Sequence, residues 1–70
     1  MNGAANARAA LVRWMESNGV TQSEIARRTG IPQTSVSRWV LGKAMPKIGA
    51  AVELERLTFG AVRVADWMTD

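Results

Sequence analysis

Seventy residues without cysteine or histidine exclude disulfide staples, thiolate chemistry, the usual zinc sites and the commonest general base. The net charge of +3 is unevenly placed: residues 1 to 47 carry seven cations against two acids, and residues 48 to 70 carry two cations against four acids, so the front is +5 and the tail −2. A basic front suits a phosphate backbone, the bland alternative being a face that merely keeps the domain soluble, while the tail is expected to stay solvated or to meet another protein.

A chain this short buries only about 60% of the surface it exposes when unfolded. Three Trp, four Met and an alanine-rich start must therefore supply most of the core of one domain spanning residues 1–70. No apolar stretch approaches the roughly 18 residues needed to cross a bilayer, and the N-terminus lacks a charged-then-apolar signal pattern, which predicts a cytoplasmic chain.

From Ala4 to Ser17 good helix formers dominate, and Ala7, Leu11, Trp14 and Met15 recur at spacings of three and four, which predicts a helix with one stripe facing a core. Asn18 and Gly19 tolerate the left-handed conformation of a C-terminal cap and stop it. Thr21 opens a second helix with a capping box, its hydroxyl accepting from the Glu24 amide and the Glu24 side chain reaching back to the Thr21 amide. Ile25 and Ala26 point inward from this helix. Gly30 ends it, Ile31 follows as an apolar anchor, and Pro32 lies at the start of the next helix, where its missing N–H costs little.

The third helix runs from about Gln33 to Leu41, with Val36, Trp39 and Val40 on one face and Gln33, Thr34, Ser37 and Arg38 on the other. Trp39 could stack on a base, but its inward phase with Val36 assigns it to the core, as with Trp14. Gly42 stops this helix, and Lys43 to Pro46 lead into a fourth from about Lys47 to Thr58, with Ile48, Ala51, Leu54 and Leu57 facing inward. After Gly60, Val62 and Val64 alternate like a strand, whereas Val64, Trp67 and Met68 fit a short final helix. The helix is favoured, because a lone strand has no partner elsewhere in the chain. Trp67 either closes the core or sits in a subunit contact. The elements together predict an all-α bundle of about five short helices.

The stretch from Thr21 to Lys43, TQSEIARRTGIPQTSVSRWVLGK, is the most informative part of the chain. Two helices meeting at a steep angle need a small residue where they touch (Ala26), a residue tolerant of positive φ between them (Gly30), and apolar residues where each meets the domain (Ile25, Ile31, Val36, Trp39). From Ile25 to Val52 there are five cations (Arg27, Arg28, Arg38, Lys43, Lys47) and no acid. Arg27 and Arg28 are adjacent and cannot share a face, so at least one is expected to be a solvated surface charge.

This pattern resembles the helix-turn-helix of the lambdoid phage repressor and Cro family, also called Xre-like, and Gln22 and the Gly42-Lys43 turn match that family as well. TFGAVRVADW resembles the ending of the Cro/YdaS-type branch of small phage regulators. The likeness covers Leu11 to Trp67. It implies a lambda-repressor-like DNA-binding fold whose second motif helix reads bases through Gln33, Thr34 and Arg38, with Gln22 as a phosphate contact. The chemistry agrees: glutamine pairs bidentately with adenine, arginine with guanine, and a threonine methyl meets the thymine methyl. Ser35, Ser37, Lys43 and Lys47 are further candidate phosphate ligands. Two departures stand out. Met15 and Val40 occupy positions where the family often has an arginine and glutamate pair, and an apolar exchange there avoids desolvating charge. Pro32 replaces the usual Ser or Thr cap, so one amide would depend on Thr34, Ser35 or a phosphate.

The function expected from these features is a sequence-specific double-stranded DNA-binding regulator, a phage or prophage Cro-type repressor acting in a bacterial cytoplasm in association with the nucleoid. It would occupy a pseudo-palindromic operator as a weak homodimer, or one formed only on DNA, with half-sites about 34 Å apart. Phe59, Val64, Trp67 and Met68 are the candidate dimer contacts. The alternative is an antitoxin-like module that uses the same helical fold to cover a partner protein. Six acids without a paired arrangement and no nucleophile beside a base predict no enzyme. No cofactor, metal, membrane or small-molecule partner is expected.

Overall fold

Apolar periodicity is answered by burial along the first helix. In the computed structural model, which describes residues 3–68, α1 (Gly3–Asn18) buries Ala7 and Leu11 completely and packs Trp14 and Met15, half-buried, against the same core. The Asn18 side chain donates to the Trp14 carbonyl (2.9 Å), and the Val20 N–H reaches back to the Met15 carbonyl (2.9 Å) across Gly19. These bonds satisfy carbonyls that the helix end leaves open. Four further helices follow: α2 (Gln22–Thr29), α3 (Gln33–Val40), α4 (Ile48–Leu57) and α5 (Val64–Met68). There is no strand among the described residues, so the alternation of Val62 and Val64 resolves as a turn followed by a helix. Asp70, counted among the acids of the tail, lies outside the described residues.

All five helices contribute to one core. Ile25 from α2, Val36 and Trp39 from α3, Ala51 and Leu54 from α4, and Trp67 from α5 meet Ala7 and Leu11 of α1. Helix α1 packs against α3 and α5, α2 against α3 and α4, and α4 against α5. Trp67 is only 2% exposed, so it is a core residue and is unavailable to another subunit without unpacking α5. Helix α5 packs against both α1 and α4, and the large aromatic it carries is buried in the core they share.

Helix α4 departs from its expected phase. Ala51 and Leu54 are buried and Leu57 is half-buried, but Ile48, expected to face inward, is 64% exposed. Ile48 is the first residue of the helix, and the chain entering it already buries Pro46 at that end. The inward line through Ala51 and Leu54 continues into Thr58, 3% exposed, rather than back to Ile48. The Thr58 hydroxyl donates to the Leu54 carbonyl (2.8 Å) and accepts from the Val62 N–H (3.1 Å). That pair of bonds explains physically why a threonine precedes the Gly60 and Val62 turn.

Two acids of the tail organise α5 instead of remaining free. The Val64 N–H donates to Glu55 Oε1 (2.9 Å) and the Arg63 N–H to Asp66 Oδ2 (3.2 Å), so opening amides of α5 find carboxylate acceptors. Between α4 and α5 the chain turns with Phe59 at φ 53°, the one non-glycine residue at positive φ among those described. Phe59 is also 95% exposed. A left-handed conformation costs an L-residue about 1 to 2 kcal/mol, and so exposed a ring recovers little of it by packing. Phe59→Gly is therefore expected to stabilise the domain by about 1 kcal/mol, raising its melting temperature by roughly 4 to 8 °C. An unchanged or lower melting temperature in a thermal unfolding scan would show that the ring is held in the monomer by something else.

Candidate nucleic-acid interface

The turn between α2 and α3 is fixed by backbone chemistry before any cation is considered. The Thr21 hydroxyl accepts from the Glu24 N–H (3.1 Å), as a capping residue should. The other half of the expected capping box is not made. Glu24 instead points its carboxylate at Arg28 (3.0 Å) and Arg27 (3.6 Å), because two guanidinium groups one turn away outcompete a single backbone amide. Both arginines therefore lean towards one acid lying just outside the acid-free stretch, although adjacent residues do not share a helix face.

At the far end of α2, Gly30 adopts φ 76° and donates its N–H to the Ala26 carbonyl (2.9 Å). The Thr29 hydroxyl donates to the Ile25 carbonyl (2.6 Å) and accepts from the Ile31 N–H (3.2 Å). Thr29 thus stitches both sides of the turn, a role that spacing alone does not reveal. Its signal is the hydroxyl residue directly before the glycine.

Helix α3 then leaves the turn with Val36 and Trp39 buried beneath it. With those two inward, Gln33, Thr34 and Arg38 are all exposed. Thr34, Ser37, Arg38, Leu41 and Lys43 line one shallow groove on the outer side of α3. Arg38 also borders a second groove that includes Ser35 and Lys47. The structure therefore brings Thr34 and Arg38 together, with Ser37 and Lys43 on one flank and Ser35 and Lys47 on the other. Gln33 is exposed at the start of the helix but lines neither groove, and Gln22, half-buried at the start of α2, lines neither. Among the described residues the ion pairs involve Arg27, Arg28 and Arg63, leaving Arg38, Lys43 and Lys47 outside them.

The two ends of α3 are secured differently. At its N-terminus Pro32 has no side-chain cap, and neither Thr34 nor Ser35 supplies one; the Ser35 and Val36 amides bond to the Pro32 carbonyl (3.0 and 3.3 Å). At its C-terminus the Lys43 N–H donates to the Arg38 carbonyl (2.8 Å) and the Gly42 N–H to the Trp39 carbonyl (3.1 Å), the paired bonds of a Schellman terminus. Arg8 of α1 adds a bond from Nε to the Val40 carbonyl (2.7 Å), placing a cation where the helix dipole is negative. Spacing along the chain does not single out Arg8, because a bond spanning 32 residues leaves no local signal. Met15 and Val40, in place of a charged pair, are both half-buried against the core.

A family model described as helix-turn-helix matches residues 11–59, more than half of the chain. Among curated proteins the chain resembles protein P2 of Acyrthosiphon pisum secondary endosymbiont phage 1, 46% identical over 48 residues that make up 67% of this chain and 51% of that protein. The chain thus spans about half the length of the curated relative it matches. No solved structure matches it significantly.

Gly30 and Gly42 both sit at φ 76°, but a Cβ on Gly30 would meet nothing, whereas one on Gly42 would lie 3.3 Å from Arg8 Nε. Gly30→Ala is expected to cost about 1 to 2 kcal/mol from backbone strain. Gly42→Ala is expected to cost about 1 kcal/mol more, by displacing the Arg8 cap from the end of α3. Denaturant unfolding should show this difference in the wild-type background and its loss in Arg8→Ala; a difference that persisted would remove Arg8 as its cause.

Proposed function

The chain belongs to the helix-turn-helix family of Xre-like DNA-binding domains, and on that premise we propose that it is a sequence-specific transcriptional regulator of Cro type. In this reading residues 1–70 act as one DNA-binding domain. Helix α3 enters the major groove of an operator, with Gln33, Thr34 and Arg38 addressing base edges. Gln22, Ser35, Ser37, Lys43 and Lys47 address phosphates, and occupancy of the site excludes polymerase. The single observation that carries the reading is the division of α3: Val36 and Trp39 anchor it from below while Thr34 and Arg38 stand exposed, with Arg38 outside the ion pairs among the described residues. A guanidinium left free on a helix of this kind offers two parallel donors to a guanine edge. Among the described residues no helix is long and apolar enough to cross a membrane.

Operators read by this motif are commonly twofold symmetric, and the proposal includes a weak homodimer. With Trp67 in the core, its contacts would fall to exposed Phe59 and Met68 and half-buried Val64. A protein-interaction module remains the second reading. It is favoured by one observation: Met45, Ile48, Val52 and Phe59, four large apolar side chains on or beside α4, are all exposed. Salt separates the two readings, because DNA binding weakens steeply as counterions are released whereas an apolar protein interface responds far less.

Binding to a randomised duplex pool at two ionic strengths should recover a preferred sequence and a steep salt dependence. Against the recovered duplex, Arg38→Ala should cost about 1 to 3 kcal/mol and relax the choice at one base position. Lys43→Ala should weaken all duplexes alike and make the salt slope shallower by about one unit. Identical behaviour of the two variants on recovered and random DNA would reject these roles. Sedimentation with the recovered duplex should show two chains per site; one chain per site at every concentration would reject the dimer.

A further inference from the structure

The groove on the outer side of α3 contains a residue that recognition by hydrogen bonds does not account for. Leu41 is 57% exposed and lines this groove with Thr34, Ser37 and Arg38. Positions 34, 37, 38 and 41 follow the three- and four-residue spacing of a single helix face. Leu41 is the apolar member of that face and the one furthest along it.

Local structure does not explain its identity. A Schellman terminus is often closed by an apolar contact between the residue after the left-handed position and a residue in the last turn. Here those positions are Lys43 and Arg38, joined by their backbone bond, so Leu41 is not used in that closure. Its own N–H donates to the Ser37 carbonyl (3.0 Å), and the bonds of Gly42 and Lys43 hold the backbone on its C-terminal side. The result is a leucine held at fixed aim with its side chain largely in water. Exposed leucines are ordinary in isolation, but this one lies among hydrogen-bonding side chains in the groove that the proposed function presents to DNA. The apolar group that the major groove offers is the 5-methyl of thymine.

We propose that Leu41 is a specificity-determining residue that selects thymine through its 5-methyl group. The inference rests on the DNA-reading function proposed above and extends it, because it adds an apolar reader at the C-terminal end of α3 to the polar readers Gln33, Thr34 and Arg38 that precede it. Contact between the leucine methyls and the thymine methyl removes both from water. It would make one base position sensitive to a group that forms no hydrogen bond.

The test uses the full chain and the duplex recovered from the randomised pool, with each thymine replaced in turn by deoxyuridine. That change deletes the methyl and keeps every hydrogen-bonding group. At one thymine, replacement should weaken wild-type binding about fourfold, the effect of roughly one buried methylene-sized group. Leu41→Ala should bind the thymine duplex more weakly by at least as much and should no longer distinguish thymine from uracil there. Leu41→Asn, which keeps the branched shape and length of the side chain and replaces its two methyls with an amide, should lose the same discrimination. Thr34→Ser should leave the Leu41-dependent thymine unaffected, separating the two methyl-bearing readers. Circular dichroism melting establishes that each variant is folded. If the pool yields no preferred duplex, the DNA-reading function fails and this inference falls with it. If a preferred duplex emerges but no thymine is methyl-sensitive, or the sensitivity survives in a folded Leu41 variant, this inference alone is overturned.

Discussion

Burial of Val36 and Trp39 beneath α3 is the constraint on which the rest of the molecule depends. A helix turns once in about 3.6 residues, so fixing two inward positions fixes the outward ones as well. Thr34, Ser37, Arg38 and Leu41 are thereby turned to solvent on one face. The core residues from α1, α2, α4 and α5 that surround Val36 and Trp39 thus set the aim of side chains they do not touch. Little core is available in a domain of this size, so the residues that stabilise the fold are also those that orient the outer face of α3.

Short helices also make their ends matter. Eight residues, the length of α2 and of α3, is below what an isolated helix needs to persist in water. Their ends are secured by small devices: Thr21 at the start of α2, Thr29 and Gly30 across the turn, and Gly42 with Arg8 at the end of α3. At the far side of the domain Thr58 does the same for α4, and Glu55 and Asp66 for α5. Each device satisfies a backbone group that the core cannot reach. The N-terminus of α3 lacks a side-chain device of this kind, and it is the end nearest Gln33 and Thr34.

The all-helical architecture, the element order and the helix-turn-helix were legible because they rest on periodicity and on residues with restricted backbone preferences. Ala7, Leu11, Ile25, Val36 and Leu54 are buried as their spacing implies, and Gly30 and Gly42 take the left-handed conformation that their positions demand. Ile48 departs from the inward phase because periodicity does not say where the entering chain buries its own residues, here Pro46. Glu24 completes only half of a capping box because the box and an ion pair compete for one carboxylate, and Arg27 and Arg28 lie within its reach. Core and subunit contact are equivalent for Trp67 at the level of composition, and only the packing of α5 against α1 and α4 separates them.

By itself, then, the sequence determined the chemistry and angular phase of α3: which side is oily, which side can form hydrogen bonds, and where a glycine must turn the chain. These follow from local sterics and from an environment that alternates with a fixed period. Tertiary structure decided which apolar residues are left in water and which distant residue secures the end of the helix. Leu41 and Phe59 are exposed, and Arg8 reaches Val40. Those outcomes depend on distances between segments far apart in the chain, which helical periodicity does not encode.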